Sequence, residues 1–457
     1  MPGPWTPVVC LAACLLSGCA AGAMPKQAPP SPTPAQWQAM QLRAADKADG
    51  IMRQANTHKD MLGRYETMVA AASVGDANPA FHVIIGQYLS WYETFIGDYP
   101  NAAANFSIQE LLQPGDNPSP LDEPARPRPA IDAIAELARG RQAVFFNEAH
   151  HLPLTRTLTV QLLARLRAEG FDTFAAETLY ASDDKLATRG YPVEGTGFYT
   201  EEPICAEMVR TALKLGYRVV AYEAQQEVGG DARESRQAHN LYERVFQRNP
   251  GARLVLDAGY GHIQESGVYL GGRSMAEYFH ELSGIDPLTV DQVVLVPHPD
   301  PAHDHPWYAA VMHALSPTRP LVFMRDDGTP WTLRAGYDVS VFFPPQVVQR
   351  GRPTWLDLGG LRKRYVVHGD EVCHGTYPCL VEARYAGEGG DAIPADRLAL
   401  DPRPSYVRGD AGLRPTAGLE ASELYLRPGR YRLVASDALG RALTRQNITV
   451  AAGAGGQ

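Results

Sequence analysis

The chain has 457 residues, room for about three domains at ~150 residues each, with 45% hydrophobic and 20% charged residues, an ordinary globular balance. Its net charge of −9, from 42 basic and 51 acidic residues, comes without a dense Lys/Arg run, which excludes the electrostatic footprint of a nucleic-acid-binding protein. Neither a Gly-x4-Gly-Lys-Ser/Thr phosphate loop nor a Gly-x-Gly-x-x-Gly turn after a strand occurs, so the common nucleotide cradles are excluded too.

In chain order, Val8–Leu16 is an apolar run too short to span a bilayer and of the length of a signal h-region. It ends in Leu16-Ser17-Gly18-Cys19, which resembles a bacterial lipobox, so residues 1–18 are expected to leave as a signal peptide and Cys19 to carry lipid. The expected location is the bacterial cell envelope, anchored to a bilayer through Cys19, on the outer membrane facing the periplasm. Residues 19–36 are Pro/Ala-rich and suit an extended tether. Residues 37–113 read as helical. Phe81, Ile84, Ile85, Tyr88, Leu89, Tyr92, Phe95 and Ile96 recur at helical spacing and are expected to pack as core. Six prolines between 114 and 129 mark a linker.

From residue 130 to 345 helix and strand alternate. Helix 130–139 leads to strand 143–148, helix 153–167 to strand 171–177, and helix 203–215 to strand 217–223. Helix 232–248 then leads to strand 253–258, and helix 274–283 to strand 292–297, with further strands at 320–324 and 337–343. Such alternation predicts an α/β fold with a mainly parallel sheet flanked by helices. Residues 346–450 change texture, with strand-like runs at 363–368, 379–385, 423–426, 430–435 and 446–450. They predict a small all-β, sandwich-like domain in which Arg427-Pro428-Gly429-Arg430 forms a hairpin turn. Cys373 and Cys379 are placed to close a small disulfide loop, Cys205 is expected to be a buried apolar residue, and residues 451–457 form a frayed tail.

The chemistry gathers at strand ends. Strand 143–148 ends in Glu148, followed by His150 and His151. Strand 171–177 ends in Glu177, strand 217–223 in Glu223, and strand 253–258 runs into Gly259-Tyr260-Gly261-His262. In a parallel sheet the carboxyl ends share one edge, where ligands bind, so these groups are expected to converge on one cleft. The run Pro297-His298-Pro299-Asp300-Pro301-Ala302-His303-Asp304-His305-Pro306 is read as a rigid loop just past a strand end, either solvated or at the rim of that cleft, rather than as a metal site.

Asn147-Glu148-Ala149-His150-His151 with Arg156 resembles the Gly-Glu-x-x-His…Arg opening of the superfamily joining erythromycin esterases, ChaN-type haem-uptake lipoproteins and TIKI/TraB-like proteins. Gly170–Glu177 resembles that superfamily's second strand, and Arg233–Asn240 its esterase helix signature. Gly259–His262 resembles the Gly-x-x-His motif of its ChaN and TraB members, and Gly336–Val339 a late Tyr-Asp strand. The likeness spans residues 130–345. Asn147 stands where glycine is usual, and Gly259 where macrolide esterases carry a first histidine.

This resemblance implies an esterase-like hydrolase that needs no cofactor and acts on a small-molecule substrate. His151, at the esterase spacing, would be the general base, oriented by Glu148 or Glu177. Arg156 and Arg233 would stabilise an oxyanion, with a salt bridge from Arg156 to Glu177 as the alternative role, and His262 would serve as second acid/base or substrate clamp. The rival expectation is haem or a divalent metal, held by His150, His151, Glu177, Glu223 and His262, with Tyr260 beside the cofactor. A metallo-peptidase of TIKI type belongs to the same alternative.

Overall fold

The computed structural model describes residues 32–224, 228–403 and 421–452, so the expected signal, the expected lipidation site Cys19, most of the expected tether and the end of the tail lie outside the described residues. Helices α1 (Pro34–Ala55), α2 (Met61–Ala72), α3 (Pro79–Phe95) and α4 (Tyr99–Asn105) form the first part. Thr33 and Gln36 close a reciprocal capping box, so α1 takes in the last three residues of the expected tether. The aromatic stripe of α3 packs as core against α1 and α2. Its far side is buried as well, with Trp91 set against Phe198 and Tyr199 of the next region.

The expected linker is part strand. β1 (Ala125–Pro129) pairs antiparallel with β7 (Leu321–Arg325) as a two-stranded ribbon. Prolines cannot donate to a ladder, and such an edge position tolerates Pro127 and Pro129. The strand expected at 320–324 therefore lies outside the main sheet.

That sheet comprises β2 (Ala143–Glu148), β3 (Thr173–Ala176), β4 (Arg218–Ala221), β5 (Leu254–Gly259), β6 (Leu288–Asp291) and β8 (Val339–Ser340). All are parallel, in the order β4-β3-β5-β2-β6-β8. Helices α5 (Ala130–Leu137), α6 (Leu154–Ala168), α8 (Pro203–Lys214), α9 (Gly230–Val245) and α10 (Met275–Ser283) flank it, with a short α7 (Leu186–Arg189) between β3 and α8. The α/β expectation holds. One strand is displaced, since the sheet uses Leu288–Asp291 and not 292–297. Val294, Leu295 and Val296 are buried without sheet pairing; Val294 and Leu295 pack against α11 (Pro306–Leu315), Phe323 and Trp331. An apolar run reports burial and does not by itself report strand. Likewise, of the strand expected at 337–343 only two residues pair into this sheet.

The last region contains β9 (Val348–Gln349), β10 (Arg352–Pro353), β11 (Lys363–Val367), α12 (Gly369–Cys373), β12 (Cys379–Tyr385), β13 (Asp396–Leu400), β14 (Ser422–Leu426), β15 (Gly429–Asp437) and β16 (Ala442–Val450). An antiparallel sheet β13-β12-β15-β16 shares a core with the pair β11-β14. The turn at Arg427–Gly429 is a corner between the two sheets, not a hairpin, because β14 pairs with β11 while β15 pairs with β12 and β16. The Tyr431 hydroxyl pins the corner by donating to the Arg427 carbonyl at 2.6 Å. Cys373 and Cys379 are disulfide-bonded and Cys205 is buried.

Candidate functional site

Strand order decides how the site closes. β5 lies between β2 and β3, so Glu148 and Glu177 stand on either side of the end of β5, roughly two strand spacings, or about 10 Å, apart at the backbone. That end is Gly259. The His150 side chain crosses above it, bringing Nε2 to 3.9 Å from Glu177 Oε2. A Cβ at Gly259 would fall 2.5 Å from the His150 ring and 2.9 Å from Glu177, so only glycine lets the two meet. The Gly259 N–H in turn donates to Glu177 Oε2 at 2.6 Å.

On the β2 side, His150 Nδ1 hydrogen-bonds Glu148 Oε1 at 2.7 Å. Arg156, fully buried on the first turn of α6, grips Glu148 through Nε to Oε2 and through Nη2 to Oε1 at 2.8 Å. Burial alone would raise the Glu148 carboxyl, but Arg156 and His150 outweigh it and hold it down at about 2. Beneath lies Asp257, in the middle of β5, accepting from the Thr159 hydroxyl at 2.8 Å. Its burial and the neighbouring Glu148 charge push its pKa well up, so it is the protonated member of that pair. Tyr199 stacks on the His150 ring with centroids 3.8 Å apart, and Tyr260 meets the ring edge-on at 5.2 Å.

On the β3–β4 side, Arg233 from the start of α9 donates through Nη2 to Glu177 at 2.8 Å and to Glu223 at 2.8 Å. Glu223 also accepts from Gln237 at 2.9 Å and from the Ala224 N–H. His262 bridges two carboxylates, Nδ1 to Glu234 at 2.6 Å and Nε2 to Glu177 at 3.3 Å. Burial disfavours its charge, yet Glu234 and Glu177 overcome that and raise it to about 10. His262 is therefore a fixed imidazolium at neutral pH and cannot be a base there. Arg233 Nη1, 3.2 Å from the protonated Nε2, is a neighbour of the ring and not its donor. Glu177 would rise with burial, but His262 and Arg233 hold it well below the carboxylate range.

Three expected roles change. Glu148 and Glu177 both face His150, and His151 instead sits with Nδ1 3.3 Å from the Tyr260 hydroxyl and its ring edge-on to Phe106. Burial first, then the neighbouring His298, His150 and Arg156 side chains, which disfavour a further positive charge, lower His151 to about 3, which leaves it a weak proton acceptor. Arg156 makes its ion pairs to Glu148 and, at 3.1 Å, to Glu202, not to Glu177; with no exposed surface it cannot reach an oxyanion. Glu202 and Tyr199 escaped the sequence reading because they lie on the segment before α8, far from any strand end. Asp257 left a signal, an acid inside an otherwise apolar strand.

The described side chains do not gather around a metal ion. Among the described residues no three His, Cys, Asp or Glu side chains are set around one ion position. The cation among Glu177, Glu223 and His262 is the guanidinium of Arg233. Tyr199 stacks on the face of His150, and His150 Nε2 is turned toward Glu177. The histidine-rich run lies past the end of β6, and its imidazoles have separate partners. His298 pairs with Asp304 at 3.2 Å, His303 with the Ser107 hydroxyl at 2.7 Å, and His305 with Asp116 at 3.2 Å.

No family model matches the chain, and no curated protein matches it. Solved structures share parts of its course. The type III effector HopBA1 is 13% identical over 40% of this chain and 88% of its own, with a TM-score of 0.27. A structure described as bacterial protein toxins is 14% identical over 56% of this chain and 63% of its own, with a TM-score of 0.31. RRSP, a MARTX toxin effector domain from Vibrio vulnificus CMCP6, is 14% identical over 56% of this chain and 45% of its own, with a TM-score of 0.27.

Proposed function

We propose that this protein is an esterase-like hydrolase, carried to the cell envelope as a lipoprotein and related to the erythromycin esterase/ChaN/TIKI-TraB superfamily. The observation that carries the reading is the 2.7 Å bond from Glu148 to His150 Nδ1. It places the proton on Nδ1 and leaves Nε2 as the acceptor, which is what a general base requires. His150 Nε2 takes a proton from a water bound above Gly259, and the water oxygen attacks the ester carbonyl carbon. The tetrahedral oxyanion forms in the field of Arg233 and the His262 imidazolium. As the C–O bond breaks, His150 returns the proton to the leaving alcohol, so ester and water become acid and alcohol.

The test is turnover of aryl esters and lactones by the purified chain in chelator. Activity that persists in chelator and is lost in His150→Ala and Glu148→Gln supports the reading. Activity that needs an added divalent ion overturns it. Acylation at Cys19 is part of the same proposal, and Cys19→Ser would move the protein from the membrane to the soluble fraction.

A further inference from the structure

The support of His150 does not stop at Arg156. Glu202 caps the start of α8 and has both oxygens engaged twice. Oε1 accepts from the Ile204 N–H at 2.7 Å and the Tyr99 hydroxyl at 2.9 Å, and Oε2 from the Cys205 N–H at 2.7 Å and Arg156 Nη1 at 3.1 Å. A buried line of hydrogen bonds thus runs Tyr99–Glu202–Arg156–Glu148–His150. Tyr99 belongs to α4, outside the α/β sheet. It is held by the last region as well: Trp355 meets its ring edge-on at 5.1 Å, and the Arg352 guanidinium lies 5.2 Å over its face. Arg352 is itself tied to Asp396 at 2.6 Å.

A second route reaches the same imidazole. Tyr199, stacked on His150, touches Trp91 of α3 at 5.9 Å. Two residues on, the Glu201 carboxylate pairs with Arg64 of α2 at 3.3 Å, and its carbonyl accepts from Arg397 of β13 at 3.2 Å. Helical region and β region therefore both clamp residues 199–202, the stretch that touches His150 and Arg156.

We propose that Tyr99 is a positioning residue for His150, acting through Glu202 and Arg156, and that the helical region is an integral part of the site. The physical reason is that a buried guanidinium shared by two carboxylates divides its hydrogen bonds between them. Loss of the Tyr99 donor leaves the Glu202 charge less shared, Arg156 is drawn further onto Glu202, and Glu148, less engaged by Arg156, holds Nδ1–H of His150 more tightly. The proposal rests on His150 being the working base.

The experiment needs no substrate. In the full chain with 15N-labelled histidine, the Nδ1–H of His150, assigned by its disappearance in His150→Gln, should give a downfield, slowly exchanging proton resonance. Tyr99→Phe should move it further downfield and slow its exchange with water by up to about tenfold, the scale of one buried hydrogen bond. Glu202→Gln removes the competing charge and should move it the opposite way, upfield with faster exchange, and it decides the matter if Tyr99→Phe does not fold. Tyr92→Phe removes a comparable hydroxyl bond, to Asn56 at 2.7 Å, within the same helical region and should leave the resonance in place. An unmoved resonance in the folded variants, or an equal movement in Tyr92→Phe, overturns the proposal. A moved resonance without ester turnover fails the hydrolase reading alone, and turnover with an unmoved resonance fails this one alone.

Discussion

His150 and His262 are the same side chain, a few residues from the ends of neighbouring strands, and the protein makes opposite use of them. His262 has a carboxylate on each ring nitrogen, Glu234 at 2.6 Å and Glu177 at 3.3 Å, and is held as a cation. His150 has one close carboxylate, Glu148, whose charge Arg156 already offsets, and its Nε2 keeps 3.9 Å from Glu177. The lesson is one of counting. A carboxylate on each ring nitrogen fixes a proton on an imidazole, whereas a single close carboxylate orients the ring and leaves a nitrogen for chemistry.

The sharpest way to break this contrast is to remove the His150 half. His150→Ala and Glu148→Gln should each lower ester turnover by about 10²–10⁴-fold in steady-state assays, the range of a lost general base. Next comes the ion pair beneath it. Arg156→Met leaves Glu148 and Glu202 buried without their shared cation and should cost about 3–5 kcal/mol in denaturant unfolding. Gly259→Ala forces the His150 ring off Glu177. It should cost about 1–3 kcal/mol of stability, typical of overpacking, while depressing turnover well beyond that loss.

The His262 half gives a pH signature. Its pKa is raised in the folded protein, so its stabilising contribution is fully present below about 6.5, the free imidazole value, and fades as pH climbs through about 10. The Tm gap between the natural chain and His262→Gln should accordingly be widest below pH 6 and narrow toward pH 10. A gap that widened with rising pH would mean the imidazole is neutral in the fold. Smallest of all should be His151→Ala, within about threefold of full turnover in the same assay, because this ring neither meets Glu148 nor accepts a proton readily at neutral pH.

Much of this site was legible from residue order. The acids Glu148, Glu177 and Glu223 and the Gly259–His262 turn were marked by apolar runs that end in charge, and a parallel sheet sends all such ends to one edge. The choice between His150 and His151 was not legible, because adjacent residues in a loop share the same sequence signal and only the backbone path tells which ring turns over Gly259. Glu202 hid as an ordinary helix cap before Pro203, and Tyr99 as one aromatic among many in a helical stretch. The misplacement of β6 has the same origin. Val293–Val296 are as apolar as a strand, and Val294, Leu295 and Val296 lie buried beyond the sheet.

What the chain's own order settled was local and periodic: the alternation of strand and helix, the parallel sense that follows, and the acids at each strand's end. Register with distant partners settled the rest. The placing of β5 between β2 and β3 brings Gly259 under His150, and the docking of helices and β region on residues 199–202 sets Arg156 between two carboxylates. Contacts between residues a hundred or more positions apart, such as Tyr99 with Glu202, depend on how surfaces fit after the elements form, and no local pattern encodes that fit.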